Sequence, residues 1–207
     1  MRLAQRLAQA LAQALFYKGK QEYERAEAEI DAALAECFGI EGGALPDFDE
    51  LLDACARESS ASPDNLIRVA DILREKGELQ RLRADVNAAA KADALALGLF
   101  LEVLQRSVVS LDLIQKTEDL IERTSGTRLP TPVLKRLLSY YEARGMLARA
   151  EDVLYEWLDT NDPTAPEGGL AFYTRLSSKS DQELADGGLP RAEVDQGRAE
   201  WLRRSEG

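Results

Sequence analysis

The apolar positions of this chain recur every three to four residues from one end to the other. Leu3, Leu7, Leu11 and Leu15 fall at four-residue spacing, with Gln5, Gln9 and Gln13 on the opposite stripe. That pattern predicts an amphipathic first helix, broken at Lys18-Gly19-Lys20. A second helix runs through Tyr23, Ala26, Ile30, Ala33 and Leu34 and stops at Gly39, a residue suited to a left-handed cap. Gly42-Gly43-Ala44-Leu45-Pro46 reads as a loop, and Asp47 with Glu50 forms a capping box for a third helix carrying Phe48, Leu51, Leu52 and Cys55. That helix ends at Ser59-Ser60-Ala61-Ser62. Ser62-Pro63 opens the fourth, through Leu66, Val69, Ala70 and Leu73 to a turn at Gly77.

Between Leu79 and Arg123 there is no proline and only one glycine, Gly98, so the breaks must be inferred. The spacing predicts helices over 79–90, 93–106 and 110–124, the last bounded by Ser110 and Gly126. Thr131-Pro132 starts another helix, ending at Gly145, and 146–158 forms its partner, closed by Asn161-Asp162-Pro163. Pro166-Glu167-Gly168-Gly169 reads as a loop before a short helix with Phe172, Tyr173 and Leu176. Ser180 with Glu183 makes a second capping box, and Pro190 opens a last helix with Val194, Trp201 and Leu202. No segment alternates apolar and polar residues long enough to be a strand. The expected fold is therefore all-α, about a dozen helices with short connections. The change in texture at the tail suggests a helical domain over 1–165 with an appendage over 166–207 packed on it.

Composition agrees. The chain holds 30 Ala and 32 Leu against 21 Val, Ile and Thr together, so helix formers dominate. Hydrophobic residues make up 45 % of its 207 residues, enough to bury a core.

Three helix pairs share a pattern. In the clearest, Leu134, Leu137, Leu138 and Tyr141 line a first helix, Gly145 turns the chain, and Ala150, Leu154, Trp157 and Leu158 line the second before Pro163. A small residue at Ala150 allows close approach. The other copies are Leu66, Val69, Ala70 and Leu73 with Gly77, Leu82, Val86 and Ala89, and the pair around Gly19. This resembles a tetratricopeptide (TPR) helix pair, most closely over 131–163. The glycines recur at nearly twice the family's 34-residue period, so the array is degenerate. The resemblance implies antiparallel helix pairs stacked into a short solenoid. The first segment, the pair from Tyr140-Tyr141 to Trp157, and the tail Leu184-Ala185-Asp186-Gly187-Gly188-Leu189-Pro190-Arg191 together resemble an uncharacterised bacterial helical family, a domain of unknown function. That implies a fold and a cytoplasmic setting, with no activity attached.

Charge narrows the function. Twenty-six Lys and Arg against 37 Asp and Glu give a net charge of −11. A general nucleic-acid binder needs a basic footprint, and an anionic membrane surface needs the same, so neither is expected as a partner. The amino terminus lacks an unbroken apolar core for a secretion signal, and no stretch reaches the roughly 18 apolar residues of a membrane span. Histidine is absent, which removes Ser-His-Asp and Cys-His catalysis and His-ligated metal. Cys37 and Cys55 are read as reduced thiols in helix faces, a single disulfide between neighbouring helices being the other reading. Ser177-Ser178-Lys179 and the acid-rich Glu22 to Glu29 stretch read as solvated surface. The Gly-Gly pairs lack the Lys-Ser/Thr of a phosphate cradle, and Asp159, Asn161 and Asp162 form a helix end, not a calcium loop. No catalytic residue, metal or cofactor is expected; the chain reads as a non-enzyme.

A stacked helix-pair protein presents the first helix of each pair on its inner face. That places Lys135, Ser139 and Glu142 there, together with Ile67, Asp71, Arg74 and Glu75. Some TPR proteins grip a peptide carboxylate with Lys and Asn at four-residue spacing; Lys135 matches and Ser139 stands where the Asn would be. Two function readings follow. One is a non-catalytic scaffold binding a protein or peptide, with Arg74, Lys135 and Ser139 as candidate contacts. The other is a self-assembling structural or regulatory protein, a homodimer formed through the amino-terminal helix.

Overall fold

A computed structural model describes residues 3–40, 44–57, 62–106 and 110–205. Gly42-Gly43, read above as part of a loop, and Ser59-Ser60-Ala61, read as the end of the third helix, lie outside them. The described residues form eleven helices and no strand. The chain is all-α, built from packed neighbouring helix pairs. Its contacts divide it into two compact units, 1–133 and 134–207, a division at a different place from the 165/166 boundary that the tail's texture suggests.

In the first unit, α1 (Leu3–Gly19) pairs with α2 (Tyr23–Phe38), and α3 (Phe48–Arg57) packs against α2. α4 (Pro63–Leu82) and α5 (Val86–Arg106) make the tightest pair, and α6 (Leu111–Arg123) lies on α5. Local signals set most of the ends. Gly39 caps α2 at φ +69°, Ser62 accepts from the Asn65 amide ahead of Pro63, and Ser110 accepts from Leu113. Asp47 and Glu50 close their capping box at 3.0 and 3.3 Å. α5 is buried on every side from Ala92 to Val103, as a helix apolar all round must be.

One expected turn is absent. α4 runs straight through Gly77, and Leu82 and Val86, expected to pack, are exposed. The glycine serves packing instead: a Cβ there would stand 2.6 Å from Asp93 Oδ1 and 3.2 Å from the Ala89 carbonyl on α5. The chain reverses seven residues later at Ala84, which takes φ +63°, while Asp85 accepts from the Ala88 amide at 3.0 Å to start α5. The single break lies at 83–85, so the separate helices expected over 79–90 and 93–106 are one helix and the end of another.

Two ionic clusters are buried in this unit. Lys76, 1 % exposed on α4, meets Asp31 at 2.6 Å and Glu27 at 3.2 Å on α2. Asp93, also 1 % exposed, is held by Arg81 at 2.7 Å and Arg123 at 3.0 Å, tying α4, α5 and α6 together. Burial pushes the Asp93 carboxyl above the usual carboxylate range, against the pull of Arg81.

Candidate partner-binding surface

The second unit contains the last residues of α7 (Thr131–Ala143), then α8 (Leu147–Leu158), α9 (Ala165–Ser177), the short α10 (Asp181–Asp186) and α11 (Arg191–Ser205). Gly145, at φ +71°, reverses the chain between α7 and α8, as the sequence indicates. Leu134, Leu137, Leu138 and Tyr141 are buried from α7, and Ala150, Leu154 and Trp157 from α8. Ala150 has no exposed surface at all.

The segment read as a loop before Phe172 is helical: Pro166 to Gly169 form the first turns of α9. Two glycines inside a helix cost stability against alanine, and tryptophan packing accounts for both. A Cβ on Gly168 would stand 2.2 Å from the Trp157 ring of α8, and one on Gly169 would stand 2.0 Å from the Trp201 ring of α11. Trp201 also donates its indole N–H to the Pro166 carbonyl at 3.1 Å.

Pairwise contacts fix the helix directions. Lys135 meets Asp162 and Thr164 just before α9 starts, and Glu142, two turns later, meets Arg175 near its end. So α7 and α9 run parallel. Tyr155 donates to the Gly197 carbonyl at 3.4 Å and Asp159 pairs with Arg204 at 2.8 Å, so α8 and α11 run parallel too. α9 and α11 are antiparallel, with Gly169 against Trp201 and Lys179 against Arg191. The result is two antiparallel pairs, α7/α8 and α9/α11, stacked side by side with first helix beside first helix.

A surface follows from that stacking. Along the α7–α9 seam, Lys135 Nζ lies 3.1 Å from Asp162 Oδ2, 2.9 Å from Thr164 Oγ1 and 4.8 Å above the Trp157 ring. Arg175 clamps Glu142 through two bonds of 2.6 and 2.8 Å, the bidentate geometry that gives such pairs direction as well as energy. The Thr164 hydroxyl and amide, both 2.7 Å from Asp162 Oδ1, hold that carboxyl well below the usual range, with Lys135 adding to them. Ser139, one turn from Lys135, is exposed and turns its hydroxyl back to the Lys135 carbonyl at 3.0 Å. Ala171, one turn before Arg175, and Thr174 are exposed on α9. Sequence reading reached Lys135, Ser139 and Glu142 but missed α9's share. The Gly168-Gly169 pair hid the start of that helix, although Leu170, Thr174 and Arg175 already carry helical spacing.

Arg74 is in the other unit. It is half-buried on α4 and pairs with Asp71 at 3.6 Å. The α4 face expected to be an open inner surface is crossed by neighbours: Lys18 of α1 reaches Glu75 at 2.8 Å, and Lys116 of α6 reaches Asp71 at 3.1 Å. Arg74 thus belongs to the first unit and Lys135 to the second.

On α8 and α11, a hollow of about 390 Å³ is lined by Glu151, Tyr155, Glu193, Glu200 and Arg204 among others. Tyr173 donates to Glu151 Oε1 at 2.6 Å from beneath it. Burial pushes both groups up, the carboxyl above the usual carboxylate range and the phenol further above its own. Cys37 and Cys55 are not bridged, and burial pushes the Cys55 thiol up to about 12, far from a thiolate nucleophile. Among the described residues no group of three or more His, Cys, Asp or Glu is placed to hold a metal, and no helix is long and apolar enough to cross a membrane.

One family model, described as a family of unknown function (DUF6483), matches residues 1–205. No curated protein and no solved structure matches the chain.

Proposed function

We propose that this chain, which belongs to the DUF6483 family of unknown function, is a non-catalytic adaptor. It binds another polypeptide along the α7–α9 face of its second unit, in a cytoplasmic, bacterial setting. The observation that carries this reading is the parallel stacking of the two antiparallel pairs, which supports the TPR-like resemblance and lays two first helices side by side. Such a face offers length and mixed chemistry: Lys135, Ser139 and Glu142 from one helix, Ala171, Thr174 and Arg175 from the other.

The chemistry of the partner follows from the pairing. Lys135 already carries Asp162, and Arg74 already carries Asp71. Much of the attraction either would exert on an acidic peptide is spent inside the chain. A partner is then selected by the shape of the seam and by hydrogen bonds to its exposed edges, with charge contributing specificity more than affinity.

The test is a pair of blocking substitutions on exposed positions, Ser139→Trp and Ala171→Arg, in the full chain. A polypeptide retained by the wild type from its own host should lose at least tenfold in affinity to each variant, with melting temperature unchanged. Arg74→Glu, in the other unit, should leave binding as it is. Retention by both blocking variants would remove the α7–α9 face as the site.

A further inference from the structure

We propose that the outward face of α1 is the interface of a homodimer, its occupant a second copy of this chain.

The inward face of α1 is settled. Leu7, Ala10 and Ala14 are buried against α2 and α4. Arg6 to Glu36 at 2.6 Å and Lys18 to Glu75 at 2.8 Å fix the rotation of the helix at both ends. The four-leucine stripe seen in the sequence is thereby divided. Leu7 goes inward, Leu11 is half-buried at the edge, and Leu15 is 48 % exposed. Ala8 and Ala12 are exposed one turn apart beside them, and Phe16, 57 % exposed, flanks the face. A hollow of about 240 Å³ runs along it, lined by Leu7, Ala8, Leu11, Ala12 and Leu15 and walled by Arg68 and Asp71 of α4.

Charge identifies the occupant. The chain is 30 % charged with a net charge of −11, yet residues 3–17 contain one charged side chain, Arg6, already paired with Glu36. Two copies of a strongly acidic chain repel across most of their surfaces. A two-fold axis also sets any charge close to it near its own duplicate. A neutral face is what self-pairing requires, whereas a different partner is normally selected by charges on the rim. Here the outer rim is Gln5 and Gln9, whose amides both donate and accept and so complement themselves, while the α4 rim is Arg68 and Asp71, one charge of each sign. An antiparallel two-fold brings the same flank of both helices together, amide rim to amide rim. Ala8 of one copy then lies opposite Ala12 of the other, and alanine at both positions lets the axes approach to about 8 Å.

The 17 residues of α1 extend about 25 Å. One such helix pair falls at the small end of the interface scale, the size of weak and transient associations.

Sedimentation velocity of the full chain between about 5 and 500 μM tests this. The wild type should pass from monomer to dimer across that range, more readily as added salt screens the repulsion between the two acidic chains. A8E/A12E and A8K/A12K should each stay monomeric with wild-type circular dichroism and melting, since both positions are exposed. An equimolar mixture of the two should form a heterodimer, Glu opposite Lys in the antiparallel register. A wild type that stays monomeric throughout, variants that dimerise as it does, or a mixture that stays monomeric would each overturn the proposal.

Discussion

Tyr173 and Glu151 show how single side chains hold the second unit together. Glu151, half-buried in the lining of the α8–α11 hollow, accepts from the Tyr173 hydroxyl at 2.6 Å. Tyr173→Phe leaves that carboxylate without its donor and should cost about 1–2 kcal/mol. Glu151→Gln keeps an acceptor for Tyr173 and removes the charge, so its stability at pH 7 should match or exceed the wild type. The pH dependence separates the two effects. Burial raises the folded-state pKa of Glu151 above its unfolded value of about 4.3. Its favourable contribution is therefore complete below that value and is lost as pH rises through the raised one. Denaturant titrations from pH 4 to pH 8 should show wild-type stability falling relative to Glu151→Gln. A parallel pair of curves would mean that the carboxyl ionises as freely in the fold as outside it.

Gly77 makes the same point for packing. In an exposed helix, Gly→Ala gains about 1 kcal/mol. Here the new methyl meets Asp93, pinned by Arg81 and Arg123, and the Ala89 carbonyl, neither of which can yield cheaply. Gly77→Ala should destabilise by roughly 1–2 kcal/mol net of the helix gain, read from urea unfolding.

At the scale of elements, helix ends were legible where a cap or a glycine turn marks them. Ser62-Pro63, Ser110, Gly145 and the Ser180–Glu183 box lie where the pattern puts them. The errors have one physical cause, which is that glycine has two uses. At Gly145 it turns the chain with a positive φ. At Gly77, Gly168 and Gly169 it sits inside a helix because a neighbour's side chain occupies the space of a Cβ. A single sequence does not distinguish the two, and the real reversal at Ala84 carries no glycine to announce it. Of the candidate surface, the α7 half was legible from its register; the α9 half depended on tryptophan contacts distant in sequence. The helix pair itself rests on Ala150. Its complete burial leaves no room for growth, so Ala150→Leu should destabilise by about 1–3 kcal/mol through overpacking. An unchanged thermal melt would show that α7 and α8 do not approach as closely as their buried residues require.

Over the whole molecule, the two units differ in what holds each together. The first is knit by buried ion pairs, Lys76 of α4 to α2 and Asp93 of α5 to α4 and α6, and presents the outward face of α1. The second stacks two helix pairs and presents a polar seam. The α7–α9 seam is proposed to receive another polypeptide. Site-specific photo-crosslinking in the native host tests it most directly, with the crosslinker at Ser139 or Ala171 on the seam, or at Arg198 on α11. The same discrete heterologous adduct is expected from 139 and 171, and none from 198. No adduct from the seam positions, or an identical adduct from all three, would contradict it.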